Sequence, residues 1–397
     1  MGYGILQNQN LLDFYIGAYC SQRPEHLEPI VLDVLRLGAY QILFLDRVPD
    51  SAAVSESVEL VKVYGRERAA GLVNAVLRKL AAHRDCLPPI PTKDAAQYLS
   101  IRYSHPLWLV RWAMELLGRE EAEAFLACNN EAVETTVQWN PLRGTEASLL
   151  QSLQAEGTQA AAHPWLPGCY ALRKTGDLTQ LSAFREGRFL VQDAAAKLTA
   201  LAAGVAEGMT VMDLCAAPGG KSFAMAMAMG DRGKIHSFDL HRSKIRLIDE
   251  GARRLGITCI TAEAGDGKVF RPEYEQQADV VLCDVPCSGL GIIRKKPDIR
   301  LKNEEELGGL PRVQRAILEN AACYVKPGGV LLYSTCTILP RENEAVTDAF
   351  LAEHANFRRE GFSLPGPAGA VESGQITLWP QRHGTDGFYI CRMRKDD

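Results

Sequence analysis

Five short strand-like runs in the second half of the chain, most of them ending at or close before a polar or reactive residue, restrict the fold most. They lie at 210–214, 235–239, 257–261, 279–283 and 329–334, with helix-like stretches between them. Alternating strand and helix from about residue 185 is the mark of a parallel, doubly wound sheet. After a Gly/Ala/Pro-rich loop at 366–374, two more short strands, near 376–379 and 387–392, are expected as antiparallel additions to the sheet. In such a sheet, ligands bind beyond the carboxyl ends of the strands. The residues just after these runs are therefore the candidates for chemistry.

The first half reads differently. Leu32, Leu35, Ala39 and Ile42, and then Val73, Val76, Leu77 and Leu80, recur at helical spacing, so residues 1 to about 83 are expected to be all helix. Ser51, after the loop at 47–50, is the expected N-cap of one of these helices. Leu87-Pro88-Pro89-Ile90-Pro91 ends the bundle, and helix resumes from Pro106 to Cys128. A strand at 135–139, a helix at 146–155 and a strand at 169–172 follow. A chain of 397 residues exceeds one ordinary domain. The expected division is 1–85 helical, 86–184 connecting helices and a small α/β region, and 185–397 a Rossmann-like domain.

A net charge of −4 gives no global sign of nucleic-acid binding, so any such contact must come from local basic patches. No apolar run reaches membrane-spanning length and no secretory leader is evident, which predicts a cytoplasmic, membrane-independent protein, expected as a monomer. The eleven cysteines include no Cys-x-x-Cys pair, and no metal site is expected. Cys20, Cys128, Cys259 and Cys323 read as small buried apolar residues.

The first run leads into Cys215-Ala216-Ala217-Pro218-Gly219-Gly220, and Lys221-Ser222 opens a helix. Glycines at such a turn let backbone N–H groups approach a ligand. A P-loop competes: Gly220-Lys221-Ser222 fits its end, but Cys215 stands where its first glycine belongs. The strand ending in Asp284 also resembles one that holds magnesium in such enzymes. Two acids favour a nucleoside over a triphosphate. Asp239 ends the second run 20 residues beyond Gly219, where a carboxylate meets ribose hydroxyls. Asp266, after the third run, is placed to meet an adenine. Asp239 is equally a candidate helix N-cap.

Two cysteines follow the fourth and fifth runs, in Asp284-Val285-Pro286-Cys287-Ser288-Gly289 and Tyr333-Ser334-Thr335-Cys336-Thr337. Two thiols beside a nucleotide-type pocket point to covalent catalysis on a substrate held next to a cofactor. Cys215 to Lys221, Asp239, Asp266, Asp284 to Gly289 and Thr335-Cys336 together resemble the motif set of the Sun/Nop-type RNA cytosine-5 methyltransferases. The stretches 294–300 and 384–389 are similar to that family's later motifs. Tyr3-Gly4-Ile5-Leu6, Pro49 to Val54 and Val73 to Arg78 resemble the NusB-like helical domain that precedes the catalytic part in the bacterial RsmB branch. Members of that branch carry further helices before the Tyr-Gly-Ile-Leu segment. Met1 stands two residues ahead of it here, so either the bundle is short at its start or the true start lies upstream.

The resemblance implies an all-α NusB-like domain followed by an α/β Rossmann-like methyltransferase domain that uses S-adenosylmethionine. It implies methyl transfer to carbon 5 of a specific cytosine in small-subunit (16S) ribosomal RNA, through a covalent cysteine adduct. Carbon 5 is a poor nucleophile until a thiolate adds to carbon 6, which is why the chemistry needs Cys. By resemblance Cys336 is the nucleophile and Cys287 assists product release; a DNA-type arrangement would exchange them. Asp284 is expected to recognise the base or to touch the methionine part of the cofactor, and Lys221 to hold the cofactor or the base edge. Residues 215–221, Asp239, Asp266 and Asp284 are the expected cofactor contacts. Arg294, Lys295, Lys296 and Arg300 form a basic loop after the Cys287 motif, expected on RNA phosphates. Lys62, Arg66, Arg68, Arg78 and Lys79 offer a second patch. A P-loop NTPase and a non-catalytic, antitermination-like RNA binder are the competing readings.

Overall fold

A computed structural model describes all 397 residues. The chain divides into two compact units, Met1–Glu131 with Ile293–Lys302, and Ala132–Ile292 with Asn303–Asp397.

The first unit is helical. Helices Gln9–Tyr19, Pro29–Phe44, Asp50–Val63 and Ala70–Ala82 bury Leu12, Ile16, Leu35, Ala39, Ile42, Val61, Leu77 and Leu80 in one core. Leu35, Ala39 and Ile42 fall on one helix face, the stripe that packs inward. Pro29 sits in a first turn, where its missing N–H loses nothing. The next helix already starts at Asp50, after an extended Pro49, so Ser51 lies inside its first turn and is not the cap. Helix Ala95–Tyr103 was not expected; Asp94 caps it by accepting from the N–H groups of Ala96 and Gln97 at 2.9 and 3.1 Å. The stretch from Pro106 to Cys128 forms two helices, Leu107–Leu117 and Arg119–Cys128. They break at Gly118, whose φ of 78° is left-handed.

The second unit opens with an antiparallel sheet of β1 (Thr135–Trp139), β2 (Gln159–Ala162), β3 (Cys169–Arg173) and β4 (Phe189–Val191), in the order β2-β3-β1-β4. Helix Glu146–Ala155 covers it through Leu149 and Leu153, packed with Val137, Leu172 and Phe189.

The larger sheet contains β5 (Thr210–Asp213), β6 (Lys234–Asp239), β7 (Ile260–Ala264), β8 (Ala278–Asp284) and β9 (Val325–Thr335), all parallel to their neighbours among these five. After β10 (Phe357–Arg359) and the short ribbon of β11 (Phe362–Ser363) and β12 (Ala370–Val371) come β13 (Gln375–Leu378) and β14 (Phe388–Lys395). The order is β10-β14-β9-β8-β5-β6-β7, with β13 on β14, and β14 runs antiparallel to β9, β10 and β13. β8 and β9 are covered on both faces. Val280, Leu282, Val330 and Leu332 enter one apolar cluster; Val281, Cys283, Leu331 and Tyr333 enter the other.

The third run lies three residues later than expected. Helix Arg242–Leu255 ends at left-handed Gly256, and the Asp231 carboxylate takes the N–H groups of Thr258 and Cys259 at about 2.9 Å, which holds them as a connection. None of the four cysteines expected to be buried is so. Cys20, Cys128 and Cys259 are half-buried and Cys323 is exposed, because they stand at helix ends or in a connection; the buried ones are Cys169, Cys283 and Cys391. No helix is long and apolar enough to cross a membrane.

Candidate active site

β5 lies between β8 and β6, so successive crossovers leave it in opposite directions and open a crevice at its carboxyl end. The turn beyond it is pinned on both sides. The N–H of Leu214 bonds to the carbonyl of Leu282 at 3.0 Å, and the N–H of Ala216 to that of Phe238 at 2.7 Å. Gly219 has a φ of 108°, and a Cβ there would stand 2.3 Å from the Phe223 ring, so only glycine fits. Behind the turn the Asp213 carboxylate is buried. Its Oδ2 accepts from Ser222 Oγ at 2.7 Å, Ser222 accepts from Ser237 Oγ at 2.9 Å, and Oδ1 has no partner. Burial pushes the Asp213 carboxyl up to about 7, against the downward pull of Ser222.

A cavity of about 290 Å³ opens at these strand ends, with Leu214, Cys215, Ala217, Pro286, Val313 and Ile317 among its walls and Asp239, Asp266 and Asp284 as its carboxylates. Burial holds the Cys215 thiol well above its ordinary pKa, so it is a neutral wall. Asp239 is only 7% exposed, and its Oδ1 accepts from the N–H of His241 at 3.0 Å. The following helix begins at Arg242 with His241 at the cap, so Asp239 braces the turn and is not the N-cap. Asp266 accepts from the N–H of Lys268 at 3.0 Å. Lys244 and Lys268 line the cavity too, but each faces a carboxylate, at 3.9 and 3.5 Å. Hydroxyl-accepting carboxylates set in apolar walls fit a nucleoside-bearing cofactor. A triphosphate would need the cations unpaired.

Lys221 opens the helix Gly220–Ala228 but does not point to solvent. Its Nζ meets Asp284 Oδ2 at 2.6 Å and lies 5.0 Å from the centre of the Phe388 ring. Burial pulls the ammonium down, yet the charge and hydrogen bond of Asp284 outweigh it and the net shift is upward. Ser334 Oγ donates to the other Asp284 oxygen at 2.8 Å. A P-loop lysine would be reserved for phosphate; this one is committed to a carboxylate.

The thiols of Cys287 and Cys336 meet at 3.2 Å, beyond the ends of β8 and β9. Their loops are tied together by the N–H of Gly291 bonding to the Cys336 carbonyl at 3.0 Å, and the N–H of Gly387 bonding to the Gly291 carbonyl at 2.8 Å. A Cβ on Gly291 would stand 1.9 Å from that neighbour's carbonyl oxygen, which explains the glycine pair. Glu342, Gln314 and Ser334, which support this arrangement, were not marked by the sequence.

Of the basic loop, Lys296 is exposed, and Arg294 and Lys295 are half-buried. Arg300 corrects the expectation. It is 6% exposed, and its guanidinium donates to the carbonyls of Gln7, Tyr103, Ser104 and Asn129 at 2.6 to 3.1 Å. A side chain enclosed in this way cannot lie on phosphate. Arg66 is half-buried on Glu28 and Lys62 pairs with Glu59, while Arg68, Arg78 and Lys79 are exposed.

Residues 200–394 match the family model described as 16S rRNA methyltransferase RsmB/F, residues 1–82 the NusB family, and residues 105–179 a Methyltr_RsmF/B-like, ferredoxin-like domain. The probable ribosomal RNA small subunit methyltransferase B of Bacillus subtilis (strain 168) is 37% identical, across 99% of this chain and 89% of its own. Ribosomal RNA small subunit methyltransferase B of Erwinia tasmaniensis is 30% identical over the same shares. The crystal structure of PH0851 is similar with a TM-score of 0.85 and 29% identity, covering 99% of this chain and 88% of that one. NSun6 from Pyrococcus horikoshii with SFG shares the fold at a TM-score of 0.66 and 22% identity, over 74% of this chain and 98% of that one.

Proposed function

The chain belongs to the 16S rRNA methyltransferase RsmB/F family, and on that premise we propose that it transfers a methyl group from S-adenosylmethionine to carbon 5 of a cytosine in 16S ribosomal RNA, through a covalent adduct on Cys336. The observation that carries this reading is the pair of thiols at 3.2 Å, at the ends of adjacent strands, the first of which ends in Asp284, on the cavity wall beside Pro286. Residues 1–85 are then the NusB-like RNA-binding domain, 86–184 the connecting region and 185–397 the catalytic domain.

Bound in the cavity, S-adenosylmethionine supplies an electrophilic methyl group. Asp239 would take the ribose hydroxyls, Asp266 the adenine side, and the turn at 215–221 the rest. The Cys336 sulfur adds its electron pair to carbon 6 of the base, which frees the 5,6 double-bond pair and makes carbon 5 nucleophilic. Once carbon 5 is methylated, its proton leaves and the carbon–sulfur bond breaks, which returns the electron pair to Cys336. Cys287 assists that release. Asp284, neutralised by Lys221, presents an acceptor for the exocyclic amine that cytosine has and uracil lacks. Arg294, Lys295 and Lys296 position the RNA backbone.

The thiol variants test the order of events. Cys336→Ala is expected neither to methylate 16S RNA nor to form an adduct. Cys287→Ala is expected to add to the base and stall, giving a slow, RNA-dependent band on a denaturing gel that the double variant lacks. An adduct from Cys336→Ala but not from Cys287→Ala would reverse the assignment.

A further inference from the structure

The two cysteine loops share a buried acid that the reaction above does not use. Glu342 ends the short turn Pro340–Glu342 beyond Cys336, and none of its surface is exposed. Its Oε2 accepts from the N–H of Ser288, the residue after Cys287, at 2.9 Å, and from Gln314 Nε2 at 2.9 Å. The same Gln314 nitrogen donates to the carbonyl of Pro286, the residue before Cys287, at 3.0 Å. Tyr333 donates its hydroxyl to the Glu342 carbonyl at 2.6 Å, and Ser288 Oγ lies 2.6 Å from Thr337 Oγ1. Glu342 Oε1 accepts no hydrogen bond.

A carboxylate enclosed with one oxygen unsatisfied carries a large desolvation cost. A neutral amide would accept from Ser288 equally well at a lower cost. The bonding thus accounts for the shape of the side chain but not for its charge. The charge has an obvious neighbour, because Cys287 lies between Ser288, whose N–H Glu342 holds directly, and Pro286, whose carbonyl it reaches only through Gln314.

We propose that Glu342 is a positioning residue for the thiol pair: it clamps the Cys287 loop to the Cys336 loop, and its negative charge keeps the proton of the pair on Cys287. The proposal rests on the assignment of Cys336 as nucleophile. Beside Cys336, which its thiol meets at 3.2 Å, the charges that act on Cys287 are those of Glu342 in the turn and Asp284 at the end of β8, and Cys287 acts in turn on Tyr333 within β9. None of them supplies a positive charge, and Lys221, the cation of the site, is engaged by Asp284. The hydrogen bond to Cys336 holds the Cys287 thiol well above its ordinary pKa, with burial and the charges of Cys336, Glu342 and Asp284 adding to it. Cys287 is then the S–H donor across the 3.2 Å contact, and it stabilises the Cys336 sulfur as that sulfur leaves carbon 6.

The test needs neither RNA nor cofactor, so it can fail independently of the proposed reaction. The intact protein is alkylated with iodoacetamide across a pH series, and the modification of each cysteine is read by peptide mass spectrometry. In the parent, Cys336 is expected to be modified at lower pH than Cys287; the opposite order overturns the proposal. Glu342→Gln keeps an acceptor for Ser288 and removes the charge, so the Cys287 midpoint should fall by about one pH unit or more. Glu342→Asp keeps the charge on a shorter arm and should leave that midpoint near the parent's. An unmoved midpoint in Glu342→Gln, or an equal fall in both variants, shows that charge is not the agent and sinks the idea. Should Glu342→Gln not fold, Glu342→Asp carries the test alone: a parent-like midpoint supports the role, and a fall of a full unit removes it.

Discussion

Asp284 and Lys221 satisfy one another at 2.6 Å, and that pairing limits what each can do for a bound base. Lys221 stays protonated despite its burial because Asp284 outweighs the desolvation, so it cannot serve as the base that removes the carbon 5 proton. Asp239 differs, because its contacts to His241 and Lys244 both use Oδ1 and leave Oδ2 for a ligand hydroxyl. Asp239→Ala is therefore expected to weaken S-adenosylmethionine binding by ~1.5–3 kcal/mol, the range for hydrogen bonds to a charged group. Titration calorimetry on a folded variant checks this, and an unchanged affinity would leave Asp239 as a brace for the turn alone. Asp239, Asp266, Asp284, Cys287 and Cys336 could be picked out in advance because each ends an expected strand or follows one within a few residues, and a parallel sheet gathers such positions at one edge. Glu342 could not. It stands in Pro340-Arg341-Glu342-Asn343-Glu344, where a carboxylate reads as solvated, and only the enclosing chain makes it a buried acid. Arg300 misled for the same reason: a basic run looks like a surface until its partners are seen.

The turn after β5 is an element with its own pH dependence. Asp213 is raised from 3.8 to about 7 in the folded chain, chiefly by burial. Between those values the native state holds a proton that the unfolded chain has released. Stability therefore falls as pH rises through that window. Asp213→Asn keeps a carbonyl to accept from Ser222 and carries no proton. Its melting temperature should gain on the parent's as pH rises from about 4 to about 7 and level off above, with each kcal/mol worth ~2–4 °C. Thermal melts across that range measure it. A difference constant with pH would mean that the native carboxyl is already ionised. How well each element could be read beforehand follows from its burial. β8 and β9 are covered on both faces and announce themselves as unbroken apolar runs. β7 stands at the sheet edge and carries Thr261 and Glu263, so the more apolar Ile257 to Ile260 drew the expected strand three residues early. Helix Ala95–Tyr103 buries only Ala96, Leu99 and Ser100, too little apolar periodicity to see.

At the scale of the molecule, the chain passes from the second unit to the first and back within one short segment. After Ile292 the chain leaves the second unit, contributes Ile293–Lys302 to the first and returns at Asn303. Gly291, just before this excursion, is bonded to the Cys336 backbone, and Arg300, within it, is bonded to carbonyls of the helical unit. No carboxylate pairs with that guanidinium among its hydrogen bonds, and burial pulls it down to about 10. The carbonyls thus compensate the charge, and removing the guanidinium would leave them unsatisfied in turn. Arg300→Ala should lower stability by at least ~1–3 kcal/mol, the penalty for orphaned buried groups, and leave the salt dependence of RNA binding as it was. Lys295→Ala with Lys296→Ala should do the opposite. Lys296 is exposed and Lys295 half-buried, so the double change should cost less stability than Arg300→Ala. Two lost phosphate contacts should lower the slope of log affinity against log salt by about 1.5. Anisotropy titrations with a 16S RNA fragment across a salt series, run beside denaturant unfolding, separate the two effects. A smaller slope in a folded Arg300→Ala variant would return that arginine to the RNA, and an unchanged slope in the double lysine variant would remove the loop from the RNA interface.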